Sequence, residues 1–176
     1  MDFKNANELL ALCEEKNLPV SEIMRIREIE LGETDAEVVN QKMTRVLEIM
    51  KDAALSPISQ PVKSMGGLIG GEARKLSLHA QKKEGLCGDL LQKAVTYAMA
   101  TLETNASMGL IVASPTAGSA GIVPGLMLAM QEHYHFSDAE IIQALFNASA
   151  IGYLAMRNAT VAGAVGGCQA EVGVAS

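Results

Sequence analysis

An uncharged run of 28 residues, Thr104–Gln131, restricts the possible folds of this chain more than any other feature. Its length would be sufficient for a membrane-spanning helix. Four glycines and two prolines divide the run into pieces too short to span a bilayer, and hydroxyl side chains are interspersed among them. We therefore expect a core segment of a water-soluble domain, or a segment that a partner chain covers. A broken helix of a membrane transporter is the alternative.

Charged residues are distributed very unevenly along the chain. Residues 1–103 contain 29 Lys, Arg, Asp and Glu residues, whereas residues 104–176 contain five, of which Arg157 is the single base. The sequence therefore predicts a charged helical region over residues 1–103. Residues 104–176 are predicted to form an apolar region that is buried on most of its sides.

The overall composition excludes several classes of protein. The 176 residues are 49% apolar, which is enough for one sizeable core and excludes a disordered tail. A net charge of −6 without a basic run excludes nucleic acids and anionic membranes as expected partners. Three widely spaced cysteines make no disulfide framework, and the charged N-terminus is unlike a signal peptide. The expected compartment is the cytoplasm.

The apolar spacing and the helix-ending residues predict a mainly α-helical single domain, in which short strands are minor. Thr34–Glu37 and Ser137–Glu140 have the pattern of capping boxes. The best strand signal is Leu110–Ala113. The expected helices are Asn5–Lys16, a second from Pro19 and Ser21 to Gly32, a third after Thr34 that Pro57 and Pro61 end, Glu72–Lys83, Leu86–Leu102, and one from Ser137 to about Asn158.

A turn with three hydroxyl side chains, Ser114–Ser119, is named here the hydroxyl loop. Pro115 fixes one backbone dihedral, and Gly118 permits close approach of a ligand to the backbone. Hydroxyls and free N–H groups in such a turn can hold a carboxylate, especially before a helix. An ordinary helix cap explains the same residues.

Two further segments are candidates for a site. Cys168 lies among small residues, where it could ligate a metal, react as a thiol, or be a buried inert residue. Lys63–Gly71, named here the Gly-rich loop, lacks the spacing of a phosphate-binding loop and is read as a mobile loop or lid. The three histidines have no metal-ligand spacing.

Three segments together resemble one family. VKSMGGLIGGEARKL, NASMGLIVASPTAGSAGIVPG and GAVGGCQAEVGVAS, in this order and spacing, look like the alpha chain of iron–sulfur-dependent L-serine dehydratase. The resemblance covers residues 1–176. It implies an enzyme that converts L-serine to pyruvate and ammonia with an oxygen-sensitive [4Fe–4S] cluster acting as a Lewis acid, and it makes residues 104–176 the active-site region.

The resemblance also implies roles for single residues. Cys168 matches a cluster ligand. The hydroxyl loop resembles the binding loop for the carboxylate and amino end of the substrate, and Asn158 is a weaker candidate for substrate binding. No residue of this chain matches a catalytic acid or base with confidence. The expected substrate-binding and active-site loop residues are Ser114, Thr116, Gly118, Ser119 and Asn158, and Lys63, Gly66, Gly67 and Gly70.

The sequence departs from the family pattern in its cysteines. Cys13 and Cys87 do not match cluster positions, and the family's alpha chain continues with further cluster cysteines. We therefore expect a fragment that binds no intact cluster and has no dehydratase activity alone. Its expected partners are L-serine, the missing C-terminal alpha segment and a beta chain or domain that holds the acid–base histidines, with self-association as a further possibility. The alternative function is a non-catalytic helical module that binds small anions.

Overall fold

The computed structural model describes residues 1–82 and 87–176, and these residues form nine helices and no strand. The all-α prediction is therefore confirmed. The helices are α1 (Ala6–Lys16), α2 (Val20–Leu31), α3 (Ala36–Ser59), α4 (Glu72–Ala80), α5 (Gly88–Ala106), α6 (Ile122–Tyr134), α7 (Asp138–Asn158), α8 (Gly163–Gly166) and α9 (Cys168–Ala175).

The central core lies between α3, α5, α6 and α7. Each of these helices contributes apolar side chains at helical spacing to one face. The buried members are Leu47, Met50, Ala54, Tyr97, Leu128, Ala129, Ile141 and Leu145. Aliphatic and small side chains dominate this core, as the low aromatic content requires.

A second core lies between the N-terminal segment, α1, α2 and α7. Its buried members are Phe3, Leu9, Ile23, Met24 and Ala150. The guanidinium of Arg27 lies 3.8 Å from the ring centroid of Tyr153, and its Nε donates to Asp2 at 2.8 Å. These contacts attach the N-terminal segment to α7.

Helices α5 and α6 pack unusually closely because glycines on α6 face small residues on α5. A Cβ atom at Gly125 would lie 2.7 Å from the carbonyl oxygen of Ala94, and one at Gly121 would overlap the carbonyl of Ala98. The glycines therefore fix the start of α6, directly after the hydroxyl loop, against the backbone of α5.

The structure confirms one capping box and corrects the other. Ser137 and Glu140 cap each other's backbone N–H at the start of α7, as predicted. The Thr34–Glu37 box is wrong, because α3 begins at Ala36 with Asp35 as its N-cap. Glu37 then lies in the second helical position, where its side chain cannot complete the box.

Pro57 does not end α3, contrary to expectation, because the helix continues to Ser59. Proline lacks an N–H, so the carbonyl of Ala53, four residues earlier, loses its helical donor. The hydroxyl of Thr104 on α5 donates to this carbonyl at 2.9 Å. A neighbouring helix thus replaces the missing hydrogen bond and permits a buried proline in the last turn.

Other expected boundaries also change. Leu110–Ala113 is irregular, so the minor strand is wrong. No described strand lies beside it to complete a ladder, and Pro115 follows within two residues. Helix α5 continues to Ala106, four residues beyond its expected end, and therefore crosses the boundary between the charged and apolar regions. Helix α4 ends at Ala80 and not at the expected Lys83, because Gln81 caps it, and the expected start at Leu86 lies outside the described residues.

The uncharged run is not one helix. It contains the end of α5, an irregular segment and most of α6. Among the described residues, α7 is the one helix long and apolar enough, by length and composition, to cross a membrane. Its Ile141, Leu145, Phe146 and Ala150 are buried in the protein, and a core helix satisfies the same criteria.

Candidate active site

The last turn of α5 holds both candidate loops. The Asn105 side-chain amide donates to the carbonyl of Ala117, in the hydroxyl loop, at 3.1 Å. The next residue, Ala106, accepts a hydrogen bond of 3.2 Å at its carbonyl from the N–H of Met65, in the Gly-rich loop. Two consecutive residues therefore bring segments about fifty positions apart to the same end of one helix.

The Gly-rich loop closes on itself through Ser64. The N–H of Ser64 donates to the carbonyl of Ile69 at 2.8 Å, and its hydroxyl accepts from the N–H of Ile69 at 3.1 Å. Gly67 and Gly70 have φ values of 71° and 150°, which residues other than glycine rarely adopt. Gly66, like Gly67, has open space where a side chain would be.

The tip of the Gly-rich loop exposes apolar side chains to solvent. Met65 is 81% exposed and Leu68 is 91% exposed. Lys63, at the base of the loop, is exposed and forms no ion pair with a carboxylate of the described residues. The loop therefore presents to solvent an apolar tip and a cation that has no ion-pair partner among the described residues.

A buried carboxylate supports the base of the Gly-rich loop. Glu103 on α5 is 2% exposed, and its Oε1 accepts from the N–H of Ala73 in the first turn of α4 at 2.8 Å. Its Oε2 has no hydrogen-bond partner in the described part of the chain. The N–H of Gly70 donates to Glu72 at 2.6 Å, and this bond lowers the pKa of Glu72.

Ser119 organises the hydroxyl loop from inside. Ser119 is 1% exposed, its hydroxyl donates to the carbonyl of Ser114 at 3.2 Å, and it accepts from the N–H of Thr116 at 3.4 Å. The Ser114–Pro115 peptide bond is cis. Because Ser119 is committed to the turn itself and the Thr116 hydroxyl is also engaged, Ser114 has the one hydroxyl of the loop without a partner among the described residues.

The hydroxyl of Ser114 is buried and has no hydrogen-bond partner in the described residues. A buried polar atom without a partner is costly, and such atoms are concentrated where a water, ion or ligand completes the bonding. Ser114 and Pro115 also line one end of an apolar groove of about 480 Å³ between α3, α6 and α7.

An acidic side chain from α9 lies against the hydroxyl loop. The hydroxyl of Thr116 donates to the carboxylate of Glu171. A Cβ atom at Gly118 would lie 2.8 Å from Glu171 Oε1, so the absence of a side chain there admits the carboxylate. The role of Glu171 was missed in the sequence. The available signal was an acidic residue in a region that contains one base.

Cys168 is the first residue of α9, and its side chain is exposed. It lies three residues before Glu171, so the two side chains share one face of the helix. Glu171 in turn contacts Thr116, so the helix that Cys168 begins lies directly against the hydroxyl loop. No hydrogen bond among the described residues joins the Gly-rich loop to α9.

Asn158 is engaged away from both loops. Its amide donates to the carbonyls of Lys4 and Leu154, each at 2.9 Å, at the end of α7. It thereby fastens the N-terminal segment to that helix. Its predicted part in substrate binding stays a prediction.

The described residues do not provide a complete donor set for an iron–sulfur cluster. No group of three His, Cys, Asp or Glu side chains among them could hold a metal ion. Cys168 offers one exposed thiol, while Cys13 packs beside the second core. A four-iron cluster commonly has several thiolate ligands. Cys168 can supply one of them, so the others would have to come from elsewhere.

Comparison with known proteins decides the family of this chain. The family model described as serine dehydratase alpha chain matches residues 15–176, which include both loops and Cys168. The chain belongs to the serine dehydratase alpha chain family. The family resemblance predicted from the three motifs is therefore confirmed.

Individual members of the serine dehydratase alpha chain family agree with this assignment. The probable L-serine dehydratase alpha chain of Bacillus subtilis is 42% identical over 99% of this chain. The L-serine dehydratase alpha chain of Peptoniphilus asaccharolyticus is 36% identical over 99%, and L-serine dehydratase TdcG of Escherichia coli is 32% identical over 99%. The matched part of the chain spans 58%, 60% and 39% of the lengths of these three relatives, in the same order.

A separate cavity of this serine dehydratase alpha chain segment lies away from the candidate residues. It has a volume of about 550 Å³ between α3, α4 and α5, and Lys93, Tyr97 and His133 line it. Burial raises the pKa of Tyr97, and its hydroxyl donates to Glu132 at 2.6 Å. None of the predicted site residues lines this cavity.

Proposed function

We propose that this chain forms part of the alpha subunit of an L-serine dehydratase, which converts L-serine to pyruvate and ammonia. The observation that carries the proposal is that the hydroxyl loop meets Glu171, from the helix that Cys168 begins. Two of the three motifs that characterise the family thereby contact each other in space. The names of the relatives from Bacillus subtilis and Escherichia coli support the same substrate.

The substrate is proposed to bind between the two loops, which Asn105 and Ala106 attach to the end of α5. L-serine has a carboxylate, an ammonium group and a hydroxyl, so it needs both a cation and hydrogen-bonding groups from the protein. Lys63 provides an exposed cation for the carboxylate, without an ion pair in the described part of the chain, and Gly66, Gly67 and Gly70 shape its loop. Ser114 and Thr116 provide hydroxyls, Gly118 provides space, and Ser119 holds the turn.

In the assembled enzyme we propose a [4Fe–4S] cluster that has Cys168 as one ligand, with its other ligands outside this segment. The exposed position of Cys168, at the start of α9, leaves its thiol accessible to iron. The alpha chain name of the relatives supports a separate beta chain as partner. We expect the catalytic acid and base there. The enzyme is proposed to be cytoplasmic and to act in amino-acid catabolism.

The non-catalytic small-anion module is the alternative function. A carboxylate, Glu171, already lies on the hydroxyl loop, and its negative charge opposes a second anion at the same place. The loop is therefore a poor isolated anion site. Binding of an anion to this chain alone, with the same affinity in Cys168→Ser, would nevertheless favour the module.

Anaerobic iron–sulfide reconstitution tests the proposal. The complete alpha subunit, which contains this chain, is assembled with its beta partner. Bound iron and sulfide are then counted, and the formation of pyruvate from L-serine is assayed. We expect a cluster and activity in the assembly, loss of both in Cys168→Ser, and retention of both in the exposed-cysteine control Cys87→Ser. Absence of iron from every combination would overturn the cluster proposal.

A further inference from the structure

The carboxylate of Glu171 has no positive partner in the described part of the chain. Arg157 is the single Lys or Arg in residues 104–176, and its guanidinium is engaged by Tyr153 and Asp2. A carboxylate that lies against the protein without a cation beside it keeps a charge that no neighbouring group balances. The carboxylate beside the hydroxyl loop therefore presents a negative charge that a cationic group would balance.

We infer that Glu171 is the receptor for the α-ammonium group of the substrate, a specificity-determining residue for amino acids. The inference rests on the proposed function and adds to it the group that recognises the amino end. Glycerate-like molecules have the same hydroxyl and carboxylate but lack the ammonium group. Glu171 thus separates amino acids from hydroxy acids.

The two oxygens of Glu171 have different surroundings. Oε2 accepts the hydrogen bond from the hydroxyl of Thr116, which fixes the orientation of the carboxylate. Oε1 accepts no hydrogen bond from a described residue and lies beside Gly118, where even a methyl group would come within 2.8 Å. A Cβ atom at Gly163 would lie 3.7 Å from the same oxygen. One oxygen is therefore anchored and the other is free to accept from a ligand.

A second polar atom without a partner lies in the same loop. The buried hydroxyl of Ser114 has no hydrogen-bond partner among the described residues. The backbone carbonyl of Ser114 accepts from the Ser119 hydroxyl, which in turn accepts from the N–H of Thr116. An ammonium group donates up to three hydrogen bonds. Glu171 Oε1 and the Ser114 hydroxyl are two acceptors for it, and the carboxylate supplies the charge.

The test compares Glu171→Gln with the unaltered assembled enzyme. Glutamine has nearly the same shape and keeps an oxygen that accepts from Thr116, so the loop is retained while the charge is removed. Binding of L-serine and of 3-hydroxypropionate, which is serine without its amino group, is measured by calorimetry, together with KM and kcat for L-serine. We expect the variant to bind L-serine ~10- to 100-fold more weakly, since a charged hydrogen bond is replaced by a neutral one. Binding of 3-hydroxypropionate should be unchanged or tighter.

Two further variants separate recognition from structure. Thr116→Val removes the anchor of the carboxylate and keeps its charge, so both ligands should weaken together while the preference for L-serine over 3-hydroxypropionate remains. Glu14→Gln, on an exposed face of α1, is the matched control and should change neither affinity. Equal weakening of both ligands in Glu171→Gln would make Glu171 a structural residue and overturn the inference.

The same measurements distinguish the inference from the proposed function. Turnover of L-serine with an unchanged preference for it in Glu171→Gln overturns the inference alone. Absence of turnover in the unaltered assembly overturns the proposed function, and the calorimetric preference for the amino ligand still decides the role of Glu171. Absence of that preference in the unaltered protein also overturns the inference.

Discussion

The hydroxyl of Thr104 on α5 donates to the carbonyl of Ala53 on α3, the carbonyl that Pro57 leaves without a helical donor. Thr104→Val should therefore lower the free energy of unfolding by ~1–3 kcal/mol, because a buried carbonyl loses its partner. Pro57→Ala restores an N–H at the required position, so the penalty of Thr104→Val should shrink in the double variant. Urea denaturation of the four proteins measures this coupling.

Thr44→Val is the control for that cycle. The hydroxyl of Thr44 also donates to a carbonyl four residues earlier, that of Asn40. Thr44 is exposed, so water can replace its hydroxyl as the donor. We expect a change within ~0.5 kcal/mol. Additive effects of Thr104→Val and Pro57→Ala would show that the hydroxyl does not compensate for the proline.

Two glycines inside helices should respond oppositely to the same substitution. At Gly125 a methyl group would meet the carbonyl of Ala94 at 2.7 Å, so Gly125→Ala should cost ~1–3 kcal/mol through separation of α5 and α6. At Gly152, in α7, nothing lies within 4 Å. Gly152→Ala should stabilise the protein by ~0.5–1 kcal/mol through helix propensity. Thermal denaturation measures both, and equal effects would contradict the close packing.

The ion pair of Asp2 predicts a pH dependence of stability. The hydrogen bond from Arg27 lowers the pKa of Asp2 from 3.8 to about 2, against the effect of burial. Because the folded pKa is depressed, the contribution is fully present above the unfolded pKa and is lost as the pH falls towards 2. Asp2 is 41% exposed, so solvent screening limits the contribution to ~1 kcal/mol or less.

Asp2→Asn should accordingly reduce stability at pH 6 and have a progressively smaller effect between pH 4 and pH 2. Chemical denaturation at each pH, compared with the unaltered chain, measures the difference. A difference that stayed constant down to pH 2 would show that charge pairing with Arg27 is not its source.

Asn105, which bonds to the hydroxyl loop, and Asn158, which is engaged away from both loops, form a matched pair for testing the loops. Asn105→Ala removes the hydrogen bond to Ala117, so we expect a loss of ~1 kcal/mol in stability and a raised KM for L-serine in the assembled enzyme. Asn158→Ala removes bonds to Lys4 and Leu154, which predicts a stability loss with KM within about twofold. A raised KM in Asn158→Ala would support the substrate-binding role expected from the sequence.

The thiols should differ in reactivity. Cys168 and Cys87 are exposed, whereas Cys13 packs against the second core. In the native chain a bulky thiol reagent should modify the first two readily and Cys13 only after unfolding. Mass spectrometry of peptides from labelled protein measures the order. Fast labelling of Cys13 would indicate that α1 separates from the core under native conditions.

Local signals predicted the fold well wherever one helix turn contained the whole interaction. The start of α7 is an example, since Ser137 and Glu140 satisfy each other without help from distant residues. The start of α3 shows the limit, because a shift of one residue to Asp35 removes the same pattern. Pro57 shows a second limit, because its tolerance depends on Thr104, which is 47 positions away.

The sequence indicated which segments belong to the candidate site, but it did not indicate which residues in them contact each other. The three motifs predicted both loops and Cys168 as its parts, and the sequence also contains the Asn105 that holds one loop. The bond from Thr116 to Glu171 joins residues 55 positions apart and has no local signature. Ser119 was predicted as a ligand group, although its burial directs its hydroxyl into the turn.

Asn105 and Ala106 attach both loops to the same turn of α5. A protein surface that covers the apolar tip of the Gly-rich loop acts on the same helical turn as a small molecule bound at the hydroxyl loop. If occupancy of one loop shifts that turn, the affinities at the two loops change by the same factor in both directions. Subunit assembly and substrate affinity would then regulate each other through a single turn of α5.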